Sequence, residues 1–344
     1  MDAYSALCAR LRREPKHWLV TGCAGFIGSN LLETLLLLDQ DVTGLDNFST
    51  GHRRNLDQVL AAVGTQRWGH FRLLEADLRS PDECHGACAD VDFILHQAAL
   101  GSVPRSLADP VATNDHNVCG FLNLLTAARD ANVRRVVYAS SSSVYGDQPT
   151  LPKIEQSTGH PLSPYAASKA ANELYAAAFA HAYGLQCIGL RYFNVFGPRQ
   201  DPEGPYAAVI PRWVRALIRD ETIRIHGDGS ASRDFCYVAN AVQANLLAAT
   251  APDEAANHVY NIAVGERTTL TQLLNAIRSL LTAHYPHAAT PTVEYTVPRP
   301  GDIPHSCADV SKAAAMLGYV PTHRLSDGLR TALDWYVDNL DGHE

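Results

Sequence analysis

Three residue types at fixed spacing could together move a proton in this sequence. Tyr165 and Lys169 stand four positions apart in the segment SPYAASK, and a serine tract, Ser140 to Ser143, lies upstream. Residues four apart share one face of a helix. A free phenol titrates at pH ~10, and an ammonium one turn away favours the phenolate, which can act as a base. Because Tyr–Lys pairs also occur on ordinary amphipathic helices, and serine tracts in ordinary turns, the set needs support from its surroundings.

A glycine-rich segment supplies that support. Gly22, Gly25 and Gly28 lie between an apolar run and a helix-period run, with the spacing G-x-x-G-x-x-G. Glycine permits a tight turn and close approach of the backbone to a diphosphate, and the N-terminus of the following helix faces the anion. Asp46 ends the next apolar run, where a carboxylate accepts hydrogen bonds from a ribose and disfavours a 2′-phosphate. The pattern predicts NAD rather than NADP as cofactor, with Asp77 as a candidate adenine contact.

The elements that must position these residues alternate between strand and helix patterns. Strands are predicted at 17–22, 41–46, 71–77, 92–98, 135–141 and 187–193, and helices at 26–38, 81–88, 115–131 and 163–184. Runs such as Trp18-Leu19-Val20 are apolar at consecutive positions, which is typical of strands buried on both faces of a parallel sheet. The alternation predicts an α/β fold, a Rossmann-type doubly wound parallel sheet in residues 1–194 with an N-terminal extension over 1–16.

After about residue 195 the composition of the sequence changes. Proline and glycine cluster in the segments GP (197–198), DPEGP (201–205) and RPGD (299–302), and helices are predicted at 207–219, 239–250, 269–282 and 325–340. We predict that residues 195–344 form a smaller α/β lobe that caps the first one. A segment near 235–262 is expected to return to the large lobe.

Composition excludes several classes of function. The chain has 344 residues, of which 46% are hydrophobic and 19% charged, with a formal net charge of −8 and no dense Lys/Arg run, so nucleic acid and anionic membrane surfaces are poor partners. Its longest near-apolar run, residues 31–38, is too short to span a bilayer, and the N-terminus lacks the apolar region of a secretion signal. The eight cysteines form no C-x-x-C pair and the histidines no ligand spacing. We expect reduced thiols, no metal site, and a cytoplasmic protein; His96, inside a predicted strand, is expected to be a core histidine.

The segments TGCAGFIG, HQAA, SSSSVYG, YAASK and RYFNVFGPRQ together resemble the extended short-chain dehydrogenase/reductase family over nearly the whole chain. Further segments, LGSVPRS, YAAVIPRW, HGDGSASRDFCYV and RPGDIPHSCADVSKA, narrow the resemblance to nucleotide-sugar 4-epimerases, and within them to UDP-N-acetylglucosamine/N-acetylgalactosamine 4-epimerases of surface-polysaccharide pathways. The resemblance implies NAD as cofactor, a UDP-N-acetylhexosamine as substrate, and a homodimer formed through helices near 115–131 and 164–183.

The resemblance also implies roles for individual residues. Tyr165 would be the base, Lys169 its electrostatic partner and a ribose ligand, and Ser141 (or its neighbour Ser142) the residue that binds the sugar 4-hydroxyl. The implied cofactor site comprises Gly22, Gly25, Phe26, Ile27, Gly28, Asp46, Asn47, Asp77, Leu78, Gln97, Ala98, Ala99, Tyr165 and Lys169. The implied substrate site comprises Gly101, Ser102, Ser141, Ser142, Tyr165, Asn194, Ala208, Val209, Arg233, Arg299, Asp302 and Ser306.

Within the substrate set, Asn194 would lie by the phosphates, and Arg233 and Arg299 would clamp the diphosphate, a task that suits the bidentate guanidinium. The position of Ser306 borders the sugar 2-substituent in this family and is often tyrosine in enzymes confined to UDP-glucose and UDP-galactose. Serine there, with the compact pair Gly101-Ser102, predicts room for an N-acetyl group, and the plain UDP-hexoses remain possible substrates.

Other functions of the same fold stay open at this point. The family's dehydratases carry Asp-Glu where this chain has Ser142-Ser143, and uncharged serines protonate a leaving hydroxyl poorly, so a dehydratase or decarboxylase is the second hypothesis. A non-catalytic NAD(P)-sensing protein is the third, although such proteins commonly lack the pair formed by Tyr165 and Lys169.

Overall fold

A parallel sheet of seven strands forms the centre of the molecule in the computed structural model, which describes residues 2–202, 208–297 and 303–340. The strands are, in chain order, β1 (His17–Thr21), β2 (Asp41–Asp46), β3 (Phe71–Glu75), β4 (Phe93–His96), β5 (Arg135–Ser141), β6 (Cys187–Tyr192), β7 (Val195–Phe196), β8 (Ile223–His226), β9 (Ser232–Arg233), β10 (Cys236–Tyr237), β11 (Val259–Ile262), β12 (Thr268–Thr269) and β13 (Val293–Thr296). The large sheet has the order β11-β6-β5-β4-β1-β2-β3 with every pair parallel.

Helices cover both faces of this sheet and build the second lobe. They are α1 (Ala3–Leu11), α2 (Phe26–Leu37), α3 (Arg53–Trp68), α4 (Pro81–Cys88), α5 (Val103–Ala108), α6 (Pro110–Asn114), α7 (Gly120–Asp130), α8 (Pro164–Tyr183), α9 (Val209–Ile218), α10 (Val238–Thr250), α11 (Leu270–Leu281), α12 (Ser311–Leu317) and α13 (Leu325–Leu340). The predicted fold class, a doubly wound parallel sheet of Rossmann type, is confirmed.

The strand order creates one place where ligands bind. The chain runs from β1 outward through β2 to β3, and then crosses back to β4 on the other side of β1. Loops that follow β1 and β4 therefore diverge, and a crevice opens at the carboxyl ends of these strands. Strands β4 and β6 are buried at every residue, which explains why apolar residues stand at consecutive positions, as in Phe93 to Leu95, rather than at alternate ones.

Helix α8 shows how local sequence sets an element. The Ser163 side chain accepts a hydrogen bond from the Ala166 amide at 3.1 Å, and Pro164 occupies the first helical turn, where its missing N–H leaves no partner unsatisfied. At the other end Gly184 adopts the left-handed conformation, with φ of 72°, and its N–H reaches Ala180 O. Both ends lie where the sequence predicts them.

Two other helical regions show features that the sequence pattern does not predict. The helix predicted near 115–131 is present, and its first turn, Asp115–Cys119, is π-helical and leads into α7 at Gly120. Helix α3 was not predicted, although its buried residues Leu56, Val59 and Val63 recur at helical spacing. Its remaining positions are polar and weaken that pattern.

The chain after residue 195 contributes to both lobes. Helix α10 packs on the large sheet and β11 forms its edge beside β6, whereas α9, α11 and α13 surround a separate core that contains Trp213 and Tyr336. Within the described ranges, no helix is long and apolar enough to cross a membrane. All eight cysteines are free thiols.

Candidate active site

Two adjoining cavities lie at the carboxyl edge of the large sheet and in the second lobe. The first, of about 450 Å³, contains every residue of the expected cofactor set, together with Gly101, His116, Ser140, Ser141, Tyr192, Val195 and Gln200. The second, of about 410 Å³, is lined by residues that include Asn194, Ala208, Val209, Trp213, Arg224, His226, Arg233, Phe235 and His305. Val195 and Gln200 line both cavities, so the two adjoin at this point.

The glycine loop between β1 and α2 is packed too closely for side chains. Gly22 has a φ of 70°, and a Cβ there would lie 2.8 Å from the Ala98 nitrogen. A Cβ on Gly28 would lie 2.0 Å from Gly22 O. Gly25 is the N-cap of α2 and provides no side-chain hydrogen bond, so no capping side chain occupies the first amides of the helix, which face the cavity. This cradle of backbone amides fits the diphosphate of a dinucleotide.

Asp46 has a second task that sequence reasoning missed. Its Oδ2 accepts a hydrogen bond from the Ala24 amide and its Oδ1 one from the Phe48 amide, both at 2.9 Å. The residue is 6% exposed, and burial raises the pKa of its carboxyl. Asp46 therefore holds the glycine loop to the end of β2 while it lines the cavity where the ribose contact is expected.

Asp77 lies at the same end of the cavity, but its carboxylate is already engaged. Asn47 donates to Oδ2 at 2.8 Å, and Arg79 donates to both oxygens at 3.0 and 2.8 Å. The Arg79 guanidinium holds the pKa of the Asp77 carboxyl well below its usual range. An adenine contact here would share the carboxylate with Asn47 and Arg79, so that role remains a prediction.

The proton-transfer set comes together where β5 ends and α8 begins. Ser141 is the last residue of β5, and Tyr165 and Lys169 lie in the first two turns of α8. Burial raises the pKa of Tyr165, and a hydrogen bond from Ser141 lowers it. The expected lowering by the Lys169 ammonium is not found. Lys169 Nζ instead donates to Ala139 O at 2.8 Å, and burial lowers its own pKa to about 8.

The hydroxyl of Ser141 is held by Ser143. Its oxygen accepts hydrogen bonds from the Ser143 hydroxyl at 2.9 Å and from the Ser143 amide at 3.1 Å. A hydroxyl has two lone pairs and one proton, so with both lone pairs engaged its proton remains available for donation. Ser142 is absent from the described lining of both cavities, whereas Ser141 lines the first. The geometry thus favours Ser141 over Ser142 for the sugar hydroxyl.

The expected substrate residues divide between the cavities. Gly101 and Ser141 line the first cavity, and Asn194, Ala208, Val209 and Arg233 line the second. Ser102 caps α5, and the Ser306 amide donates to Ser232 O at 3.0 Å, but neither residue is among the described lining of either cavity. Arg299 and Asp302 lie outside the described residues.

Arg233 is held at the second cavity by its neighbours. Its Nη1 donates to Ser232 O at 2.9 Å and to Pro304 O at 3.1 Å. The next residue, Asp234, is fully buried and accepts hydrogen bonds from the amides of Val264, Gly265 and Ala308. Burial raises the pKa of Asp234 to about 6.

A triangle of hydrogen bonds in the wall of the first cavity was not expected. Asn245 donates to Tyr192 Oη at 2.6 Å, Tyr192 donates to Gln97 Oε1 at 3.2 Å, and Gln97 donates to Asn245 Oδ1 at 3.0 Å. These residues lie on α10, at the end of β6 and after β4, so long-range packing alone brings them together. The sequence signal that could have identified Tyr192 is its position as a tyrosine at the end of a predicted buried strand.

His96 is a core residue, as its setting in a buried strand predicts. It is 1% exposed, its Nδ1 lies 2.8 Å from Thr21 Oγ1, and its ring stacks on Phe121. Burial, followed by the charge of Lys169, lowers the pKa of His96 to about 3. No group of three or more His, Cys, Asp or Glu side chains in the described part of the chain is placed to hold a metal ion.

Known proteins share this architecture. A family model described as the NAD dependent epimerase/dehydratase family matches residues 18–263. A UDP-N-acetylglucosamine 4-epimerase from Methanobrevibacter ruminantium, solved with UDP-N-acetylmuramic acid, is 38% identical with a TM-score of 0.86, covering 94% of this chain and 99% of its own.

Two further proteins are similar over almost their full length. A UDP-glucose 4-epimerase of Mycolicibacterium smegmatis is 36% identical over 92% of this chain and 97% of its own. A UDP-glucuronic acid 4-epimerase of Bacillus cereus, solved with UDP-glucuronic acid and NAD, is 28% identical with a TM-score of 0.84, over 94% and 99% of the two chains. The chain therefore belongs to the NAD-dependent epimerase/dehydratase family, whose cofactor the first cavity is shaped to hold.

Proposed function

We propose that this protein is a UDP-sugar 4-epimerase that interconverts UDP-N-acetylglucosamine and UDP-N-acetylgalactosamine. The observation that carries the proposal is the set formed by Ser141, Tyr165 and Lys169, which gathers a hydroxyl, a phenol and an ammonium on the wall of a dinucleotide cavity. That cavity adjoins a second one that presents Arg233 and Asn194. Similarity to epimerases of three UDP-sugars supports the same reaction class.

The residues of the chain divide the proton chemistry between them. Ser141 and Tyr165 both line the first cavity, and Ser143 occupies the lone pairs of the Ser141 hydroxyl, so a sugar O4 placed between Ser141 and Tyr165 has a donor on one side and a base on the other. Tyr165 as phenolate takes the O4 proton and later returns it, which leaves the enzyme unchanged after each turnover. When bound, NAD supplies the chemistry that removes the hydrogen of sugar C4 and returns it to either face of the resulting ketone. Lys169, charged below its pKa of about 8, lies one helical turn beyond Tyr165 and would hold the cofactor ribose.

The second cavity suits the nucleotide diphosphate. At about 410 Å³ it has the size of a small-ligand site, and Trp213 and Phe235 supply apolar walls while Arg233 supplies a permanent positive charge. Binding there would anchor the nucleotide, and the sugar would extend past Val195 and Gln200 into the first cavity. Rotation of a flat 4-keto sugar about its diphosphate linkage then exposes either face.

The preference for N-acetyl sugars rests on two small residues. Gly101 lines the first cavity, and a Cβ built on it meets nothing within 4 Å, so open space surrounds it. Ser306 follows His305, which lines the second cavity, and is a serine where the family resemblance implies a tyrosine in enzymes confined to UDP-glucose and UDP-galactose. We propose that this space accepts the acetamido group, and that the product supplies surface-polysaccharide assembly.

The positions of the carboxylates argue against a dehydratase. In the described lining of the first cavity, the acidic side chains are Asp46, which ends β2, and Asp77, which follows β3. Ser141 ends β5, three strand positions from β2, a separation of about 14 Å at the usual strand spacing. Neither carboxylate can act as acid or base beside the sugar hydroxyls that Ser141 and Tyr165 hold.

The test is a direct assay of the purified protein with UDP-N-acetylglucosamine and no added cofactor. NMR is expected to show UDP-N-acetylgalactosamine and no stable 4-keto-6-deoxy sugar. Parallel reactions with UDP-glucose and UDP-glucuronic acid measure the preference. A protein that retains NAD but leaves all three nucleotides unchanged would refute the epimerase assignment, and faster turnover of UDP-glucose or UDP-glucuronic acid would refute the N-acetyl preference alone.

We also propose a homodimer in which α8 contributes to the interface. Leu174 on α8 is 73% exposed, and Val111 and Leu107 on the neighbouring α6 and α5 are 68% and 60% exposed. Exposed apolar side chains on adjoining helices are typical of a protein interface. Light scattering of the protein is expected to give twice the chain mass, and Leu174→Glu is expected to give a monomer.

A further inference from the structure

Glu173 lies behind the proton-transfer set, one helical turn beyond Lys169 on α8. Its Oε1 accepts a hydrogen bond from Ser140 Oγ at 2.5 Å. Arg191, at the end of β6, binds both of its oxygens, with Nε to Oε1 at 2.9 Å and Nη2 to Oε2 at 2.7 Å. The side chains of Arg191 and Glu173 are 4% and 15% exposed. This is a bidentate, largely buried ion pair joined to the strand that carries Ser141.

Three consecutive residues of β5 are each attached to α8. Ala139 O accepts from Lys169, the Ser140 hydroxyl donates to Glu173, and the Ser141 hydroxyl lowers the pKa of Tyr165. The three helix residues are spaced by four, so they form one face of α8. The two hydrogen bonds, from Lys169 and to Glu173, set the position of the helix against the strand that carries Ser141.

Arg191 holds Glu173 from a fixed position. Its Nη1 donates to Glu155 O at 3.0 Å, and its guanidinium lies over the ring of Tyr145 at 4.9 Å. Arg191 also stands directly opposite Ser140 in the β5–β6 register. Because Arg191 is bound on three sides, the Glu173 carboxylate has little freedom to move, and the Ser140 hydroxyl follows it.

We propose that Glu173, held by Arg191, is a positioning residue that sets the distance between the Ser141 hydroxyl and the Tyr165 phenol through Ser140. The proposal deepens the proposed function and depends on it. Removal of the Ser140 hydroxyl leaves the ion pair and the chemical groups in place, but removes one of the two hydrogen bonds that hold this end of β5 against α8. Small misplacement of reacting groups lowers turnover strongly, so we expect the effect in kcat rather than in substrate binding.

The test begins with the parent protein, whose conversion of UDP-N-acetylglucosamine establishes the reaction. Ser140→Ala is then expected to lower kcat by about 10-fold to 100-fold, with the KM for the UDP-sugar and the retained NAD unchanged. Because the hydrogen bond from Ser141 lowers the pKa of Tyr165, the acidic limb of the kcat profile is expected to move to higher pH. The titration of the Tyr165 phenol is also expected to move to higher pH in Ser140→Ala. It is measured as the difference in tyrosinate absorbance between Ser140→Ala and Ser140→Ala/Tyr165→Phe.

Two further variants separate positioning from general stability. Thr43→Val removes another buried hydroxyl of the same sheet, one that contacts His17 Nε2 at 2.9 Å, and is expected to keep the parent kcat and pH profile. Glu173→Gln is expected to lower kcat, and the double variant with Ser140→Ala is expected to be no slower than the slower single one, since both act through one bond.

Three results would overturn the inference while leaving the epimerase assignment intact. The first is a folded Ser140→Ala protein with the parent kcat and phenol titration. The second is additive losses in the double variant, and the third is an equal loss in Thr43→Val. If Ser140→Ala fails to fold, Glu173→Gln alone decides, because its parent-like kcat would contradict the proposal. A parent protein without activity would instead refute the proposed function.

Discussion

The packing of the glycine loop yields a quantitative prediction for Gly28→Ala. The new methyl carbon would lie 2.0 Å from Gly22 O, where ordinary contact begins at 3.4 Å, so the loop and α2 must separate by roughly 1.4 Å. Both atoms in conflict belong to backbone-anchored groups, so no flexible side chain can absorb the overlap. Forcing an extra methylene into a packed interior costs about 1–3 kcal/mol.

A matched substitution elsewhere has the opposite sign. Gly86 is an exposed residue inside α4, and a Cβ there meets nothing within 4 Å. Gly86→Ala is therefore expected to stabilise the protein by about 0.5–1 kcal/mol, because alanine loses less backbone entropy in a helix. Comparison of Gly28→Ala with Gly86→Ala therefore distinguishes the effect of steric crowding in the loop from the effect of helix propensity on stability.

Thermal unfolding and cofactor content together test the reasoning. At about 2.1 cal/mol/K per residue, the unfolding entropy of this 344-residue chain is about 0.7 kcal/mol/K, which corresponds to about 1.4 °C per kcal/mol. Gly28→Ala is therefore expected to lower Tm by roughly 1–4 °C, whereas Gly86→Ala raises it slightly. Displacement of the loop also moves the amides that face the diphosphate, so NAD released on denaturation is expected to fall in Gly28→Ala alone. A Gly28→Ala protein with the parent Tm and NAD content would show that the loop is not packed as described.

Three further predictions concern the site and its pH dependence. Tyr165→Phe is expected to lower epimerase kcat by about 10²-fold to 10⁴-fold while NAD is retained, because only the base is lost; near-parent turnover by NMR would exclude Tyr165 as the base. Ser306→Tyr is expected to lower turnover of N-acetyl sugars at least ~10-fold and to spare plain UDP-hexoses; unchanged acetamido-sugar kinetics would contradict the gate. His96 has an ordinary pKa of 6.5 and a pKa of about 3 in the folded protein, so below pH 6.5 the unfolded chain binds a proton that the folded chain does not. The free energy of unfolding therefore decreases as the pH is lowered, by up to ~2 kcal/mol at pH 5. The buried carboxyl of Asp234 makes the free energy of unfolding change with pH in the opposite direction between pH 6 and 4. The contribution of His96 is therefore measured by urea unfolding as the difference between the parent protein and His96→Gln. No pH dependence of this difference would show that the imidazole is not buried and neutral.

Much of the site was predictable because its signals are local. The glycine spacing at Gly22, Gly25 and Gly28 follows from steric limits on a turn that begins a helix. A dinucleotide loop can therefore be predicted from these few residues, without reference to the rest of the chain. The same holds for Tyr165 and Lys169, which share a helix face whatever α8 packs against. All of the expected cofactor residues line one cavity for this reason.

Other features depended on which groups compete for the same atoms. Lys169 was expected to lower the pKa of Tyr165, but in the fold its ammonium donates to Ala139 O, and the group that lowers that pKa is Ser141. Asp77 was expected to face adenine, and Arg79, two residues away, occupies its carboxylate. Sequence spacing shows which groups are near one another along an element, but not which partner each group chooses.

What the sequence determined by itself is the set of elements and the chemical groups at their ends. Apolar runs, the Ser163-Pro164 start and Gly184 end of α8, and the glycine loop are governed by steric and hydrogen-bonding rules that act over a few residues. Only the tertiary structure decided that Ser140, Glu173 and Arg191 meet, that Ser143 orients Ser141, and that the two cavities adjoin. These contacts depend on how strands and helices from distant parts of the chain dock, and that docking is set by the packing of the whole core rather than by any local pattern.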